Sequence, residues 1–355
     1  PCVVGVSEID ELRRGQTVLV DGTRGTVKIE PDPDHARKLQ TLAQQEAEEA
    51  ARWRGHGATS DGVQVDLLAN VQDGEGAREA AQGVAVGVGL FRTELAFLNA
   101  PTEPSIDQQA STYREVIDSF NGHRVVVRTL DAGSDKPMPF LHYEGEDNPA
   151  LGVRGLRVAC ASPEILDRQL EAIAQASCHT SPPWVMAPMV STRAEARFFA
   201  EKVRAHGLVP GVMVEVPAAA LRCREILEEV DFLSIGTNDL SQYTMAADRL
   251  SPDLASLCDP WQPAVLELVR MIAQAGAQAS KPVGVCGEAA ADPLLAIVLV
   301  GLGVGSLSAA PQALPAVGAA LSKVDFATCE RAAHEALTAS DGAQARNLAR
   351  EVVYP

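Results

Sequence analysis

Eight short runs of β-branched and aliphatic residues alternate with helical spacing once the chain passes Gly62. They are Val63 to Ala69, Val84 to Leu90, Arg124 to Leu130, Trp184 to Met189, Val209 to Val216, Asp231 to Ile235, Pro282 to Cys286 and Val304 to Leu307. Parallel strands need long crossover connections, normally helices, so this alternation predicts a parallel sheet. Eight repeats predict closure into an α/β fold of the (β/α)8 TIM-barrel type, with an open doubly wound sheet as the rival. The helices announce their ends. Thr192 and Glu195 form a capping box with Gly207 beyond it, Pro217 opens a helix, and Gly276 is expected to close the segment that starts near Pro260. Leu294 to Val304 reads as a buried helix and turn, well short of the roughly 20 residues that span a bilayer.

The flanks differ from this repeat. Within residues 1–30, the runs Val3 to Val6, Thr17 to Val20 and Gly25 to Ile29, with a turn at Asp21-Gly22, predict a strand and a hairpin. So few strands cannot enclose a core, and this piece is expected to belong to an upstream domain. Residues 31–60 hold a charged helical linker, His35 to Trp53, ended by Gly55 and Gly57. Residues 61–355 are the barrel plus three C-terminal helical patterns, Pro311 to Lys323, Phe326 to Thr338 and Gly342 to Val352, more than a barrel needs. A dimer surface is their simplest use. The chain starts at Pro1 without a basic or long apolar leader, which suggests a fragment and no secretory signal.

Charge and motif searches narrow the chemistry. Asp and Glu number 47 against 30 Lys and Arg, a net charge of −17, which disfavours nucleic acid and anionic membranes as partners. Seven scattered cysteines without C-x-x-C argue for free thiols in a reducing cytoplasm. P-loop, dinucleotide, zinc-protease and serine-hydrolase signatures are absent from the sequence. The glycines before Phe91 are read as close-packing positions instead. Unusual polar residues stand at predicted strand ends, where a barrel keeps its site. Arg92 and Arg128 could clamp a phosphate or carboxylate, or form structural ion pairs with Glu94 and Asp131. Glu215 and Asp239, with Asn238 beside them, offer the hard oxygen ligands of Mg²⁺. Alternatively Glu215 faces the helix that starts at Pro217, and Asp239 caps a turn. Cys286 ends the seventh run, as a buried hydrophobe or as a proton-donating thiol. The other six cysteines are read as packing.

These stretches, in order, resemble the phosphoenolpyruvate-binding C-terminal part of the enzyme I family, the phosphoenolpyruvate-protein phosphotransferases of the bacterial sugar phosphotransferase system. The resemblance rests on Gly87 to Glu94, Val127 to Pro137, Asn148 to Arg154, Val212 to Ala220, Ser234 to Thr244 and Val285 to Glu288. Dikinases and phosphoenolpyruvate synthases share a shorter version of the pattern. Carried over by position, the resemblance implies that Arg92, Arg128 and Arg249 hold the substrate phosphate with Asn238 and Asp239, and that Arg154 adds to them. It implies Mg²⁺ on Glu215 and Asp239, and Cys286 as proton donor to the methylene carbon. Leu250-Ser251 replaces the usual Gly-Asn after Arg249, which bears on the loop rather than on the arginine.

The implied reaction moves the phosphoryl group of phosphoenolpyruvate to a histidine and releases pyruvate, with positioning and charge neutralisation as the main requirements. In the family the accepting histidine lies upstream, on a mobile domain that also docks a phosphocarrier protein, and the C-terminal helices form a homodimer. The seven histidines here sit in other contexts. His179, in Cys178-His179-Thr180-Ser181, is the nearest lookalike but lies between a helix and a strand. Residues 1–30 resemble the tail of the histidine-bearing domain. A dikinase or synthase fragment, and a ligand-sensing dimer without turnover of its own, are the alternatives.

Overall fold

The structure is a computed structural model that describes residues 12–22, 26–98, 101–134, 137–141 and 145–355. An antiparallel hairpin comes first, β1 (Val18–Asp21) and β2 (Thr26–Ile29). The anticipated Val3 to Val6 strand, Cys2 and His142 lie outside the described residues. Helix Pro33–Arg52 follows, capped by Asp32 with Pro33 at its first position.

Eight parallel strands then close into a barrel: β3 (Asp66–Val71), β4 (Val88–Arg92), β5 (Val125–Arg128), β6 (Trp184–Ala187), β7 (Val209–Val214), β8 (Phe232–Ile235), β9 (Val283–Val285) and β10 (Ser306–Ala309). Each pairs with its sequence neighbour, and β10 returns to β3. The closed sheet settles the choice against an open one. Two apolar layers explain it physically. Outward-facing strand residues such as Leu67, Val127, Val185 and Leu307 pack under the helices, while Leu90, Val126, Met186, Met213, Phe232 and Cys286 fill the interior. The barrel is therefore a packed core rather than a pore.

Most anticipated helix ends are present. Thr192 and Glu195 form both halves of the capping box of helix Arg193–Ala205, and Pro217 is the first residue of helix Pro217–Leu221. Gly276 is a correction. Helix Pro263–Ala279 runs through it and ends at Ser280, which takes the left-handed conformation usually left to glycine. Glycine is needed at 276 for space: a Cβ there would lie 2.2 Å from Val283 Cγ2. At the base of the barrel, Gly211 performs a similar service for the Phe232 ring, which would meet an added Cβ at 2.3 Å. That ring stacks on Trp184 at 4.7 Å, and Arg124 lies over Trp184 at 4.9 Å.

Helix Pro293–Gly301 is apolar on all sides and almost wholly buried. Helices Leu314–Leu321, Phe326–Leu337 and Gly342–Val353 complete the chain. Trp53, at the end of the first helix, packs on Gly318, and Lys323 pairs with Glu49 at 2.7 Å. Among the described residues no helix is long and apolar enough to cross a membrane.

Gly211→Ala should press a methyl into the Phe232 ring. Urea denaturation is expected to show a loss of about 1–3 kcal/mol, whereas an unchanged midpoint would mean that the ring can move aside.

Candidate active site

The C-terminal ends of the strands surround a cleft of about 640 Å³. Arg92, Arg128, Glu215, Asn238, Asp239, Arg249 and Cys286, separated by up to 194 positions (286 − 92), all line it. Strand ends supply Arg92 and Arg128. Glu215 directly follows β7, and Asn238 and Asp239 occupy the first turn of helix Thr237–Met245 after β8. That helix ends at Ala246 in the left-handed region, which reverses the chain and brings Arg249 back to Asp239 at 3.4 Å.

The two strand-end arginines part ways. Arg128 is buried, bonds Glu94 at 2.6 Å and lies 3.4 Å from Asp131. Its neighbouring carboxylates hold its pKa above the ordinary range against the cost of burial. The ion-pair reading of Arg128 is present in the structure, and the paired guanidinium also lines the cleft. Arg92 has no ion-pair or hydrogen-bond partner among the described residues. It is the cleft cation free to take an anion.

Arg154 stands elsewhere. It is 1% exposed and does not line the cleft; it lies beneath the floor. Its guanidinium forks onto Asp131 at 3.0 and 3.1 Å and reaches Asp239 at 3.2 Å. Tyr243 accepts from Arg154 at 3.3 Å and donates to the Ala150 carbonyl at 2.5 Å, tying the helix to the preceding loop. Arg154 therefore holds Asp239 in place from below. Gln169 is a further support that residue patterns alone did not single out. Buried on helix Pro163–Ala176, its amide oxygen accepts from Leu130 N and its amide nitrogen donates to Thr93 and Tyr113. A glutamine within an apolar helical stripe was the available signal.

Neither alternative for the two acids survives. Glu215 accepts from the Met189 amide at 2.7 Å, after β6, rather than turning to the helix at Pro217. Asp239 is engaged by Arg154 and Arg249 rather than capping a turn. Burial, then the charges of Asp131 and Asp239, push the Glu215 carboxyl up to about 8, outweighing Arg128 and Arg154. Two oxygen ligands on adjacent strand ends could hold a hard divalent cation that keeps its remaining positions for water and a ligand. Such a charge would oppose the cause that raises Glu215. Among the described residues no group of three or more His, Cys, Asp or Glu forms a metal cluster, so the protein share would be those two carboxylates.

Cys286 is 2% exposed, and burial pushes its thiol up to about 11. A thiol raised in this way keeps its proton at neutral pH. Cys258, read from sequence as packing, also lines the cleft. His179 is exposed on the turn before β6, at the opposite end of the barrel from the cleft.

The family model described as the PEP-binding domain of PEP-utilising enzymes matches residues 46–326. The chain belongs to that family. It is 48% identical over 358 residues to the phosphoenolpyruvate-protein phosphotransferase of Streptomyces coelicolor, covering 99% of this chain and 64% of that protein. The phosphotransferase of Geobacillus stearothermophilus is 38% identical over 335 residues, 89% of this chain and 58% of its own length. A multiphosphoryl transfer protein of Rhodobacter capsulatus is 38% identical over 361 residues, 98% of this chain and 43% of its own length. The chain thus spans less than two thirds of the length of each.

A carboxyl whose folded pKa exceeds its unfolded value contributes stability below the unfolded pKa and loses it as pH rises through the folded one. In metal-free buffer the Glu215 share is therefore lost between about 4.5 and about 8. Glu215→Gln should flatten this decline in a pH series of thermal melts. An unchanged slope would place the proton elsewhere.

Proposed function

We propose that this chain is the phosphoenolpyruvate-binding catalytic unit of a phosphotransferase. In this reading the phosphoryl group passes to a histidine on a domain outside this chain, then to a phosphocarrier protein of a sugar-uptake system in the cytoplasm, and pyruvate leaves. The observation that carries it is the meeting of an unpaired Arg92, the carboxylates Glu215 and Asp239, and the neutral Cys286 thiol in one cleft. The family match and the names of the relatives agree with it.

Each residue has a task that its surroundings support. Arg92 and Arg249 receive the phosphate from opposite sides, and Arg128 adds charge from the floor. Asn238 accepts from the Glu288 amide through its side-chain oxygen at 3.2 Å, which leaves its NH₂ to point a donor at the anion. Glu215 and Asp239 would hold Mg²⁺, which supplies charge neutralisation as the phosphoryl group departs. Cys286 gives its proton to the methylene carbon of the enolate, and its high pKa keeps that proton available.

The domain plan is likewise a proposal. The β1–β2 hairpin within residues 1–30 is the tail of the histidine-bearing domain, residues 31–60 are the linker, and residues 61–355 are the barrel with C-terminal dimerisation helices. Relatives longer than this chain support the first part. Sedimentation with and without phosphoenolpyruvate tests the homodimer.

Calorimetric titration of phosphoenolpyruvate with Mg²⁺ tests the site directly. Arg92→Ala is expected to weaken binding about tenfold to a hundredfold, the worth of hydrogen bonds to a charged group. EDTA or Glu215→Ala should abolish the metal-dependent part. Binding indifferent to all three changes would reject the assignment. With an acceptor domain supplied, Cys286→Ser should retain substrate affinity and slow pyruvate formation about a hundredfold; an unimpaired rate would assign the proton to another group.

A further inference from the structure

A thiol that gives its proton to carbon must regain one, and the cleft side of Cys286 is where the proposed substrate would sit. The sulfur's other neighbours lie inside the barrel. The thiol donates to the Ile235 carbonyl at 3.5 Å, and the hydroxyl of Ser234, one position before Ile235 on β8, is the neighbouring side chain that acts on the thiol against the larger effect of burial. Ser234 on β8 is in register with Gly284 on β9. Both line a second, smaller cavity within the barrel, of about 20 Å³. That is room for about one water.

The walls of this cavity suit water. They carry the hydroxyls of Ser234, Ser306 and Ser308 and the side chain of Arg124. Arg124 Nε is buried without a protein partner, a donor that costs free energy unless water accepts from it. Glycine keeps the space open, because a Cβ on Gly284 would come within 2.2 Å of Ser306 Oγ. The Arg124 side chain, 20% exposed and paired with Asp66, sits just before β5 at the N-terminal end of the barrel. Hydroxyls and an orphaned donor therefore line a small cavity that reaches from Ser234, beside the level of the sulfur, to Arg124 at the end of the barrel opposite the cleft.

We propose that Ser234 relays protons to Cys286 from water in the barrel interior, so that the thiol is replenished from the N-terminal end of the barrel and not from the cleft. The role of Cys286 as proton donor rests on the function proposed above. As the S–H bond breaks toward carbon, a thiolate remains. The Ser234 O–H then breaks and a new S–H forms, while the serine oxygen takes a proton from the interior water. Exchange with solvent restores that water, and Ser234 ends neutral as it began.

Infrared spectroscopy can follow the S–H stretch of Cys286, assigned by its disappearance in Cys286→Ser, as the chain is moved from H₂O to D₂O. Ser234→Ala is expected to slow the exchange of this thiol about a hundredfold. Ser234→Thr, which keeps a hydroxyl, should restore it, and Ser234→Val, close to threonine in shape, should not. The Thr and Val pair decides the matter if the alanine variant folds poorly. Exchange at the unsubstituted rate in a folded variant without the hydroxyl would overturn the relay. A second readout is deuterium wash-in to the methyl group of pyruvate with Mg²⁺, expected to slow in Ser234→Ala at unchanged pyruvate affinity. Hydroxyl-dependent thiol exchange with no methyl wash-in in any variant would remove the substrate assignment and leave the Ser234 path standing.

Discussion

Four carboxylates, those of Glu94, Asp131, Glu215 and Asp239, converge on two buried guanidiniums, Arg128 and Arg154, at the C-terminal end of the barrel. Arg249 adds a third guanidinium at Asp239. Buried ions are tolerated only when paired and hydrogen-bonded. At Glu215 burial, then the charges of Asp131 and Asp239, outweigh the arginines, and its carboxyl is pushed toward its protonated form. A cation held beside it would oppose that shift and would in turn attract an anionic ligand.

The rest of the fold can be understood as the support this network requires. Closed pairing of eight strands holds the carboxyl-bearing ends at fixed spacing, and neighbouring strands β7 and β8 set Glu215 beside Asp239. Beneath them, Arg154 is fixed by Asp131 and Tyr243, and Gln169 anchors the exits of β4 and β5. Glu94 is paired with Arg128, and Arg92 has no counter-ion among the described residues. One guanidinium maintains the floor and the other remains available to a ligand. Rigid strands make that division stable in a way that flexible loops would not.

Much of this was legible in the residue order. Apolar runs of strand length alternating with capped helices are enough for a barrel, because parallel strands leave few other ways to bury both faces. The rim residues were legible as well, since charged groups at the ends of apolar runs have little structural reason to be there. Gly276 shows where local reading fails. Glycine has two uses, conformational freedom and small size, and only the proximity of Val283 reveals which applies. Arg154 fails for a related reason: nothing in its sequence neighbourhood distinguishes an arginine that touches a ligand from one that lies under the site.

By itself, then, the sequence determined the alternating architecture, the family to which the chain belongs, and the residue types that gather at one end of the barrel. Tertiary structure decided how those residues share their charges. It paired Arg128 with Glu94, left Arg92 without a partner among the described residues, turned Glu215 to the Met189 amide, and set Ser234 beside the strand of Cys286 in the barrel interior. Strand and helix signals are local and repeat along the chain. Electrostatic partnership instead depends on distance and burial, which are properties of the closed barrel.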